Sequence, residues 1–391
     1  MIVGAGIYQL PAIIAAKKMG LKVVAIDKNP SLEGMRLSDV PGEISTTDIE
    51  NALILAKKNK IKGILTIGSD VSLPTVSIIA QKLGLKGLPL ETIKASSVNK
   101  DKMLHKLSLA GLPVVTHRKF KRFKDCLNFA AKDKFPLILK PIDGWGSRGL
   151  SRVDSKKELK DAFDNAMSYS AKKEICAEEY VEGKDTTCEA FILKKRLVFS
   201  AFTEKRLTDP PYYAPVSHIM PLRIGRTRES ELKGIVEKAA DVMDIDEGPM
   251  DVDIRLTPSG PRIIELAARL GGNCVPQLVK ESFGFDIIEA AINLSLGRRP
   301  KIKKTKKDFS GVSILGSKKA GYVKDIRGIE QARRIRGISE IYIDVKPGDS
   351  VNTFKTGSDR IGHIIARATT KERVKKNISH ALNLLKIKIE K

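Results

Sequence analysis

Apolar residues in the first hundred positions occur either in short continuous runs or three and four residues apart. The continuous runs predict buried strands, and the wider spacing predicts helices with one apolar face. Strands are predicted at 2–6, 21–27 and 63–68, and helices at 49–59 and 71–83. Strands separated by helices of this length are typical of a parallel sheet that helices cover, so this segment predicts a doubly wound α/β unit.

After residue 98 the pattern changes to hairpins mixed with helices, which is typical of an α+β unit. Helices are predicted at 103–110, 157–166 and 229–243, and strands at 136–140, 150–153, 175–181, 186–192 and 196–203. Residues 204–221 are polar and are predicted to form a long loop. A third, smaller unit after residue 308 has strands at 312–315, 341–344 and 360–367 and a helix at 371–385.

The composition indicates a globular protein rather than a disordered or fibrous one. A length of 391 residues suits two or three domains, and 42% hydrophobic residues are enough to form their cores. No apolar run approaches the roughly 18 residues that a membrane span needs, and the first residues predict a strand rather than a signal peptide. The four cysteines show no metal-binding or disulfide spacing, so we expect a protein of the reducing cytoplasm.

The formal net charge of +24 raises the question of a nucleic-acid or membrane partner. Most lysines lie singly on predicted helix faces, and the densest basic run, 298–307, contains no aromatic residue that could stack on a base. We therefore expect a solvated surface charge and a basic linker, without a nucleic-acid or membrane partner.

A lysine followed by a glycine-rich segment indicates a phosphate-binding loop. Lys140 ends an apolar strand, and Gly144, Gly146 and Gly149 follow within nine residues. Such a loop brings backbone N–H groups close to phosphate oxygens, while the ammonium group supplies positive charge and Ser147 a hydroxyl donor. The segment lacks the Gly-Lys-Ser/Thr end and the following helix of a Walker loop, and a plain glycine hairpin beside a surface lysine remains the alternative.

Acidic residues on two consecutive apolar strands indicate a divalent-cation site. Asp251 and Asp253 are two residues apart, so both side chains lie on one face of their strand. A turn at 258–260 leads to the next strand, where Glu265 is expected to lie beside Asp253. Buried carboxylates are costly unless paired or bound to metal, and hard oxygen ligands beside phosphate suit Mg²⁺. Together with the phosphate-binding loop, these acidic residues indicate ATP chemistry. The alternative is that the acids form salt bridges with nearby arginines.

The strand at 175–181 is a candidate for holding the base and ribose of a nucleotide. It contains Glu178 and Glu179 and ends at Val181, and Asp185 follows four residues later. A strand edge can hydrogen-bond adenine through its backbone, and a nearby carboxylate can accept from ribose hydroxyls. Acids at strand ends are common, so this segment supports a nucleotide site only together with its neighbours.

Arg269 is a candidate for holding a reacting anion. Its planar guanidinium, beside the flexible backbone of Gly271 and Gly272, suits a carboxylate or an acyl phosphate. His218 and Lys205 lie in the predicted polar loop, where a substrate would be selected. A surface role is the alternative for His218, because loop histidines are more often solvated than catalytic.

A dinucleotide-binding site near the N-terminus is disfavoured. Gly4, Gly6 and Asp27 fit a turn followed by a ribose-binding acid, but Gln9 occupies the position of the third glycine in that fingerprint. An NAD-dependent oxidoreductase is therefore the weakest of the functions that the sequence allows.

Taken in order, these segments resemble the ATP-grasp superfamily and, within it, the carboxylate–amine ligase branch that includes L-amino acid ligases. The chain is also similar to carbamoyl-phosphate synthetase and biotin carboxylase. By this resemblance residues 1–98 would form a preATP-grasp domain, and 99–300 the ATP-grasp domain with a mobile lid at about 133–190. Residues 308–391 would form a small C-terminal α+β domain.

The resemblance also implies a role for each candidate residue. It assigns the ATP phosphates to Lys102 and Lys140, the phosphate lid to Gly144, Gly146, Ser147 and Gly149, the adenine hinge to Glu178, Glu179 and Val181, and the ribose to Asp185. It assigns the metal to Asp253 and Glu265, the reacting anion to Arg269, and the substrate surroundings to His218, Lys205, Gly271 and Gly272.

Three positions depart from the family pattern. Asp253 stands at the first metal position, where glutamate or glutamine is usual. Asp185 stands where glutamate is usual, which shortens the reach to a ribose. Ala267 stands where asparagine is usual, which removes one metal or phosphate ligand, and Asp251 is a candidate substitute.

The implied reaction is ligation driven by ATP. A substrate carboxylate would attack the γ-phosphate to give an acyl phosphate, and an amine would then displace phosphate to form an amide. ATP and Mg²⁺, or Mn²⁺ in its place, are the implied cofactors, a small carboxylate and a small amine the substrates, and a homodimer is compatible with the resemblance. A bicarbonate-activating carboxylase and a nucleotide-binding protein without catalysis remain the alternatives.

Overall fold

The N-terminal segment forms the predicted parallel sheet, in a computed structural model that describes residues 1–130 and 135–390. Its elements are β1 (Ile2–Val3), α1 (Leu10–Lys18), β2 (Val24–Asp27), α2 (Glu33–Leu37), β3 (Val40–Glu43), α3 (Ile49–Lys58), α4 (Leu73–Lys82) and α5 (Leu90–Ile93). Strand β2 pairs in parallel with β1 and β3, which confirms the predicted α/β arrangement. The predicted strand at 63–68 contributes only isolated bridges, from Leu65 to Ile2 and from Ile67 to Leu270.

The glycine turn after β1 is filled from within the chain. The Gln9 side chain donates a hydrogen bond to the carbonyl of Ile67. The two carboxylate oxygens of Asp27 accept from the backbone N–H groups of Ala5 and Asn29, both at 3.1 Å. An acid that is already bonded in this way is poorly suited to hold a ribose, in agreement with the weak dinucleotide pattern.

A small antiparallel unit follows the N-terminal sheet. Its elements are α6 (Lys100–Leu109), β4 (His117–Phe120), α7 (Phe123–Ala130), β5 (Leu137–Pro141), β6 (Ser151–Val153), α8 (Leu159–Ser168) and β7 (Ile175–Glu179). The strands lie in the order β4-β7-β5-β6, with the apolar sides of α7 and α8 packed on them. The predicted start of the lid at residue 133 lies outside the described residues, and the domain boundaries stay predictions.

The largest sheet joins the second and third predicted units. Its elements and those around it are β8 (Lys184–Leu193), β9 (Arg196–Leu207), β10 (Pro215–Met220), α9 (Arg226–Val242), β11 (Gly248–Thr257), β12 (Gly260–Ala267), α10 (Val275–Phe283), α11 (Ile287–Ser295), β13 (Phe309–Gly316), β14 (Gly321–Arg327), α12 (Ile329–Arg333), β15 (Ile338–Ile343), β16 (Ser350–Val351), β17 (Arg360–Ala368), α13 (Lys371–Leu384) and β18 (Lys386–Glu390). The order β12-β11-β8-β9-β10-β13-β17-β15 shows that C-terminal strands extend the central sheet, while β14, β16 and β18 form a separate small sheet.

The structure corrects the predicted loop at 204–221. Strand β9 continues to Leu207 and pairs in antiparallel fashion with β10, so only residues 208–214 separate the two strands. The segment is polar because part of it lines a cavity rather than because it is irregular. Sequence polarity alone does not distinguish these two situations.

Side-chain alternation along β11 gives the sheet an apolar face and a polar face. Met250, Val252 and Ile254 are buried in one cluster with side chains of α6 and α9. Asp251 and Asp253 alternate with them and therefore lie on the opposite face, as predicted. The helices behind the sheet thus fix the position of the acidic residues in front of it.

Two further properties of the described residues bear on the chemistry of the chain. Within residues 1–130 and 135–390, no helix is long and apolar enough to cross a membrane. All four cysteines are buried free thiols.

Candidate active site

The acidic hairpin brings two carboxylates together in the wall of a cavity of about 310 Å³. Asp253 on β11 lies directly opposite Glu265 on β12, which confirms the juxtaposition predicted from their spacing. Each carboxylate is bonded to an ammonium group: Asp253 Oδ2 lies 2.6 Å from Lys205 Nζ, and Glu265 Oε1 lies 2.7 Å from Lys100 Nζ. The Thr187 hydroxyl also donates to Asp253 Oδ1 at 2.6 Å.

The two lysines keep both carboxylates ionised. Burial alone would raise the pKa of each acid, but the positive charges outweigh it. Lys205 lowers the pKa of Asp253, and Lys100 with Lys140 lowers the pKa of Glu265. Both carboxylates are therefore ionised at neutral pH, and a lysine ammonium group balances the charge of each.

Lys100, rather than the predicted Lys102, points into the site. Lys100 is 9% exposed, and its Nζ lies 2.6 Å from the carbonyl oxygen of Gly144 as well as next to Glu265. Lys102 is exposed on the other side of α6. The Asn99 side chain caps this helix, and residues three, four and seven positions after Lys100 form its buried face. That spacing is the sequence signal that identifies Lys100.

Lys140 and Glu178 form a fully buried ion pair on adjacent strands. Lys140 Nζ lies 2.7 Å from Glu178 Oε1, with side-chain exposures of 5% and 3%. Burial favours the neutral amine, but the carboxylates of Glu178 and Glu265 outweigh it and raise the pKa of Lys140 above its usual value. Lys140 therefore presents a permanent positive charge close to the acidic hairpin.

The glycine-rich segment after β5 adopts a turn that its sequence requires. Gly146, Ser147 and Gly149 have φ values of 65°, 61° and 69°, a left-handed conformation that favours glycine. The Ser147 hydroxyl donates to the carbonyl of Tyr213 at 3.3 Å, and the carbonyl of Gly146 accepts from the N–H of Gly357 at 3.2 Å. The loop is thus held over the cavity by two distant parts of the chain.

The predicted adenine hinge lies where β7 meets β8, and much of its polar surface is used internally. The N–H of Glu179 donates to the carbonyl of Thr116 at 2.9 Å. Arg255 donates to the carbonyl of Val181 at 3.0 Å and to Asp185 Oδ1 at 3.0 and 2.8 Å. Asp185 Oδ1 is therefore occupied by an ion pair with Arg255. The assignment of Asp185 to a ribose stays a prediction and depends on its second oxygen, Oδ2.

Arg269 lies in the cavity wall between two carboxylates. Its Nε and Nη2 donate to the two oxygens of Asp70 at 2.8 and 2.9 Å, and its Nη1 donates to Asp251 Oδ2 at 3.0 Å and to the carbonyl of Leu270 at 3.2 Å. These bonds fix the plane of the guanidinium and use four of its five N–H groups. The remaining N–H, on Nη2, is the one available to a reacting anion.

A second pair of acids, Asp251 and Glu189, lies next to Asp253 and Glu265. Asp251 lies opposite Glu189 on β8 and opposite Ala267 on β12. Both oxygens of the fully buried Glu189 lie 3.1 Å from the N–H of Gly271, and a Cβ at Gly271 would lie only 2.7 Å from Glu189 Oε2. Burial, followed by the charge of Asp251, raises the pKa of Glu189 well above its usual value, and burial raises the pKa of Asp251 to about 6. Sequence reasoning missed Glu189, whose apolar neighbours conceal it in a strand.

We expect Glu189→Gln to raise the free energy of unfolding at neutral and alkaline pH. The pKa of Glu189 is higher in the folded chain, so the folded state binds the extra proton and its stability falls as pH rises above the unfolded value. Glutamine keeps a neutral group of the same shape and removes this fall. Urea unfolding between about pH 5 and pH 9 measures how the free energy of unfolding changes with pH, and the exposed Glu182→Gln is the control. An equal change with pH in the wild type and in Glu189→Gln would contradict a protonated Glu189.

His218 lies in strand β10 rather than in a loop. It is 2% exposed, its Nδ1 lies 3.0 Å from the hydroxyl of Thr203, and its Nε2 has no hydrogen-bond partner among the described residues. Burial and the charge of Lys205 lower the pKa of His218 to about 3, so the imidazole is neutral. His218, Lys205 and Gly272 all line the cavity, whereas Gly271 lies behind Glu189.

The donor set suits a metal that completes its coordination with other ligands. In the part of the chain that the structure describes, no group of three or more histidine, cysteine, aspartate or glutamate side chains could hold a metal ion alone. Asp253 and Glu265 supply two hard oxygen donors on one cavity wall. Mg²⁺ is often bound by one or two carboxylates plus phosphates and water, so this pair fits it.

Comparison with known families agrees with this geometry. Residues 133–277 match the ATP-grasp domain family, and residues 313–390 match L-amino acid ligase C-terminal domain 2. An uncharacterised protein of Sinorhizobium fredii is 26% identical over 368 residues, which cover 91% of this chain and 76% of that protein.

A characterised relative and a solved structure extend the comparison. The L-arginine-specific L-amino acid ligase of Bacillus subtilis is 22% identical over 231 residues; the match covers 57% of this chain and about half, 55%, of that protein. The crystal structure of L-amino acid ligase from Bacillus licheniformis superposes with a TM-score of 0.84 at 21% identity, over 100% of this chain and 98% of that one. The chain therefore contains an ATP-grasp domain and an L-amino acid ligase C-terminal domain, and its fold is that of an ATP-grasp ligase.

Proposed function

We propose that the chain joins a carboxylate to an amine with consumption of ATP, forming an amide, ADP and phosphate. The observation that carries this proposal is the position of Lys100, which links the carbonyl of Gly144 in the phosphate loop to Glu265 in the acidic hairpin. Two lysines, a glycine turn and two carboxylates therefore surround one point. The L-amino acid ligases among the relatives support a carboxylate and an amine as substrates.

The reaction divides into two steps that the side chains can support. An oxygen of the substrate carboxylate attacks the γ-phosphorus and the bond to ADP breaks, giving an acyl phosphate. The amine nitrogen then attacks the acyl carbon, phosphate leaves, and the amine loses a proton. The protein contributes positioning and charge rather than a covalent group, as in other phosphoryl transfers.

Each charged group has a proposed part in those steps. Lys100 and Lys140 hold phosphate oxygens, and the free N–H of Arg269 orients the reacting anion. Asp253 and Glu265 would hold Mg²⁺, or Mn²⁺ in its place, which supplies additional neutralisation of phosphate charge when bound. The loop from Gly144 to Gly149 excludes water that would otherwise hydrolyse the acyl phosphate. A cytoplasmic location and a homodimer stay predictions.

The test measures ADP and phosphate release with ATP, Mg²⁺ and pooled carboxylates and amines. We expect release that requires one member of each pool. Lys100→Met is expected to lower it by about a hundredfold or more, because a charge directed at the phosphates is lost, whereas the exposed Lys102→Met keeps wild-type rates. Equal loss in both variants would contradict the assignment of Lys100.

Other outcomes separate the remaining functions. Release that requires bicarbonate instead of a carboxylate from the pool would indicate a carboxylase, and ATP binding in calorimetry without turnover would indicate a binding protein. Absence of both ATP binding and ADP formation would show that the ligase proposal is wrong.

A further inference from the structure

A second cavity, of about 730 Å³, lies between the N-terminal unit and the central sheet. It is lined by α4 and α5 and by α11, the start of β11 and the turn between β8 and β9. The segment 268–270, which follows β12, also lines it. Among the described residues, Arg269 is the only one that lines both this cavity and the active-site cavity. The two cavities are therefore separate spaces that share Arg269 in their walls.

The walls of the second cavity are mainly apolar. Side chains of several elements contribute to them, among them Leu73, Val76, Leu88, Ile93, Leu270 and Leu294. The hydroxyl groups of Thr66, Ser77 and Ser295, which also line the cavity, donate to backbone carbonyls of the chain at 2.8, 2.7 and 2.8 Å. Because these donors are already used, an occupant meets mainly apolar surface inside the cavity.

The charged groups at the rim of the second cavity leave one lysine without a counter-ion. Each acidic residue of the rim is paired with a lysine: Asp244 with Lys106, Asp246 with Lys195 and Glu247 with Lys86. Lys194, in the turn between β8 and β9, is exposed, lines the cavity and forms no ion pair among the described residues. Its ammonium group gives the rim an uncompensated positive charge, which attracts an anion.

We propose that the second cavity binds a small organic anion with an apolar body, whose anionic group pairs with Lys194. The volume lies within the range of about 300–1,000 Å³ that is usual for small-molecule sites, and such sites occur preferentially where two units of a chain meet. Burial of the apolar body supplies most of the affinity, since an exposed ion pair contributes little. This site is additional to the active site, and its existence does not depend on the ligase function.

An occupant of the second cavity lies next to the residues that orient Arg269. The N–H of Leu73, in the cavity wall, donates to the carbonyl of Asp70 at 3.1 Å, and the Asp70 carboxylate holds the guanidinium of Arg269. On the basis of the proposed ligase function, we expect an occupant to change the rate of ADP formation without competing with ATP, because it contacts Arg269 from outside the active-site cavity.

The test uses two fluorescent probes, anilinonaphthalene sulfonate and the uncharged N-phenylnaphthylamine, which has the same rings without the sulfonate. Both become brighter in apolar surroundings, and we expect each to bind the wild type saturably at one site. Lys194→Gln should weaken binding of the sulfonate about two- to fivefold, the range of an exposed ion pair, and leave binding of the uncharged probe unchanged. Val76→Trp, which places a larger ring in the cavity, should weaken binding of both probes about tenfold or more.

Matched variants make each outcome decisive. Lys173→Gln changes an exposed lysine whose φ of 53° is left-handed, as is the φ of 51° at Lys194, and Ile54→Trp adds a ring at an exposed position of α3. Both should bind the probes as the wild type does, and melting temperatures report whether each variant folds. Wild-type binding of both probes by Val76→Trp, equal affinity for the sulfonate in Lys194→Gln and the wild type, or no saturable binding would overturn the inference.

The binding measurement needs no turnover, so it is separate from failure of the ligase assay. Where ADP is formed, saturating sulfonate should change its rate of formation in the wild type and not in Val76→Trp. Competition between the sulfonate and ATP would place the probe in the active site and overturn the inference. An unchanged rate in the wild type would overturn the link to Arg269.

Discussion

Glu265→Gln is expected to reduce amide formation by about a thousandfold while the fold persists, the upper range for removal of one preorganised electrostatic group. Glutamine has the shape of glutamate and can still accept from Lys100, so the packing of β11 and β12 is preserved. The change removes one of the two negative charges that face each other on those strands. A site that holds Mg²⁺ through two carboxylates then has a neutral amide oxygen in place of one of them and binds the ion more weakly.

The measurement is the rate of ADP formation with both substrates saturating, repeated over a range of Mg²⁺ concentrations. We expect the requirement for Mg²⁺ to rise, which loss of folding would not produce. The exposed Glu182→Gln is the charge-matched control and should keep wild-type rates. Unchanged turnover in Glu265→Gln would remove Glu265 from the metal site and leave the pair with Lys100 as a structural ion pair.

The acidic hairpin could be predicted from the sequence because its signal is local. Strand alternation places Asp251 and Asp253 on one face, and a short turn sets the position of Glu265 opposite. No distant part of the chain is needed to define that geometry. The same holds for the glycine turn, where the conformations of Gly146 and Gly149 follow from residue type.

The error between Lys102 and Lys100 shows what a resemblance to a family pattern leaves out. Two lysines two residues apart on one helix point in different directions, so only one of them can face the site. The spacing of Lys100 from Met103, Leu104 and Leu107 decides between them, because those residues form the buried face of α6. Helical periodicity therefore carries the information that motif matching misses.

The environment of Arg269 could not be predicted because its partner carboxylates come from two distant parts of the chain. Asp70 follows the predicted strand at 63–68, whereas Asp251 lies on β11. Glu189, which lies opposite Asp251, belongs to a largely apolar strand whose sequence predicts a buried core strand rather than a functional site. Only the order of strands in the central sheet brings these groups together, and periodicity along one segment contains no information about that order.

Ala267 also acquires a physical context that the sequence lacks. It lies directly opposite Asp251, so a small side chain there leaves room beside the Asp251 carboxylate. Arg269 donates to that carboxylate at 3.0 Å. The replacement of the missing ligand by Asp251 stays a prediction, which this position opposite Ala267 supports.

Lys140→Met is expected to lower the free energy of unfolding by about 3–5 kcal/mol, the usual cost of leaving one member of a buried ion pair without its partner. Methionine has a similar length and fills the same space, so the change removes charge with little change in volume. Glu178, at 3% exposure, then lacks the ammonium group that lies 2.7 Å from it. Urea or thermal unfolding of the variant measures the loss.

The double variant Lys140→Met with Glu178→Leu separates the cost of the unpaired charge from other effects. Replacing both members of a buried pair with apolar groups of similar volume is often neutral or stabilising, so we expect the double variant to regain most of the lost stability. Both variants should still fail to turn over ATP, because the charge directed at the phosphates is absent from each. A double variant as unstable as Lys140→Met would show that the lysine stabilises the sheet by packing, and ATP turnover in the double variant would exclude Lys140 from the phosphate site.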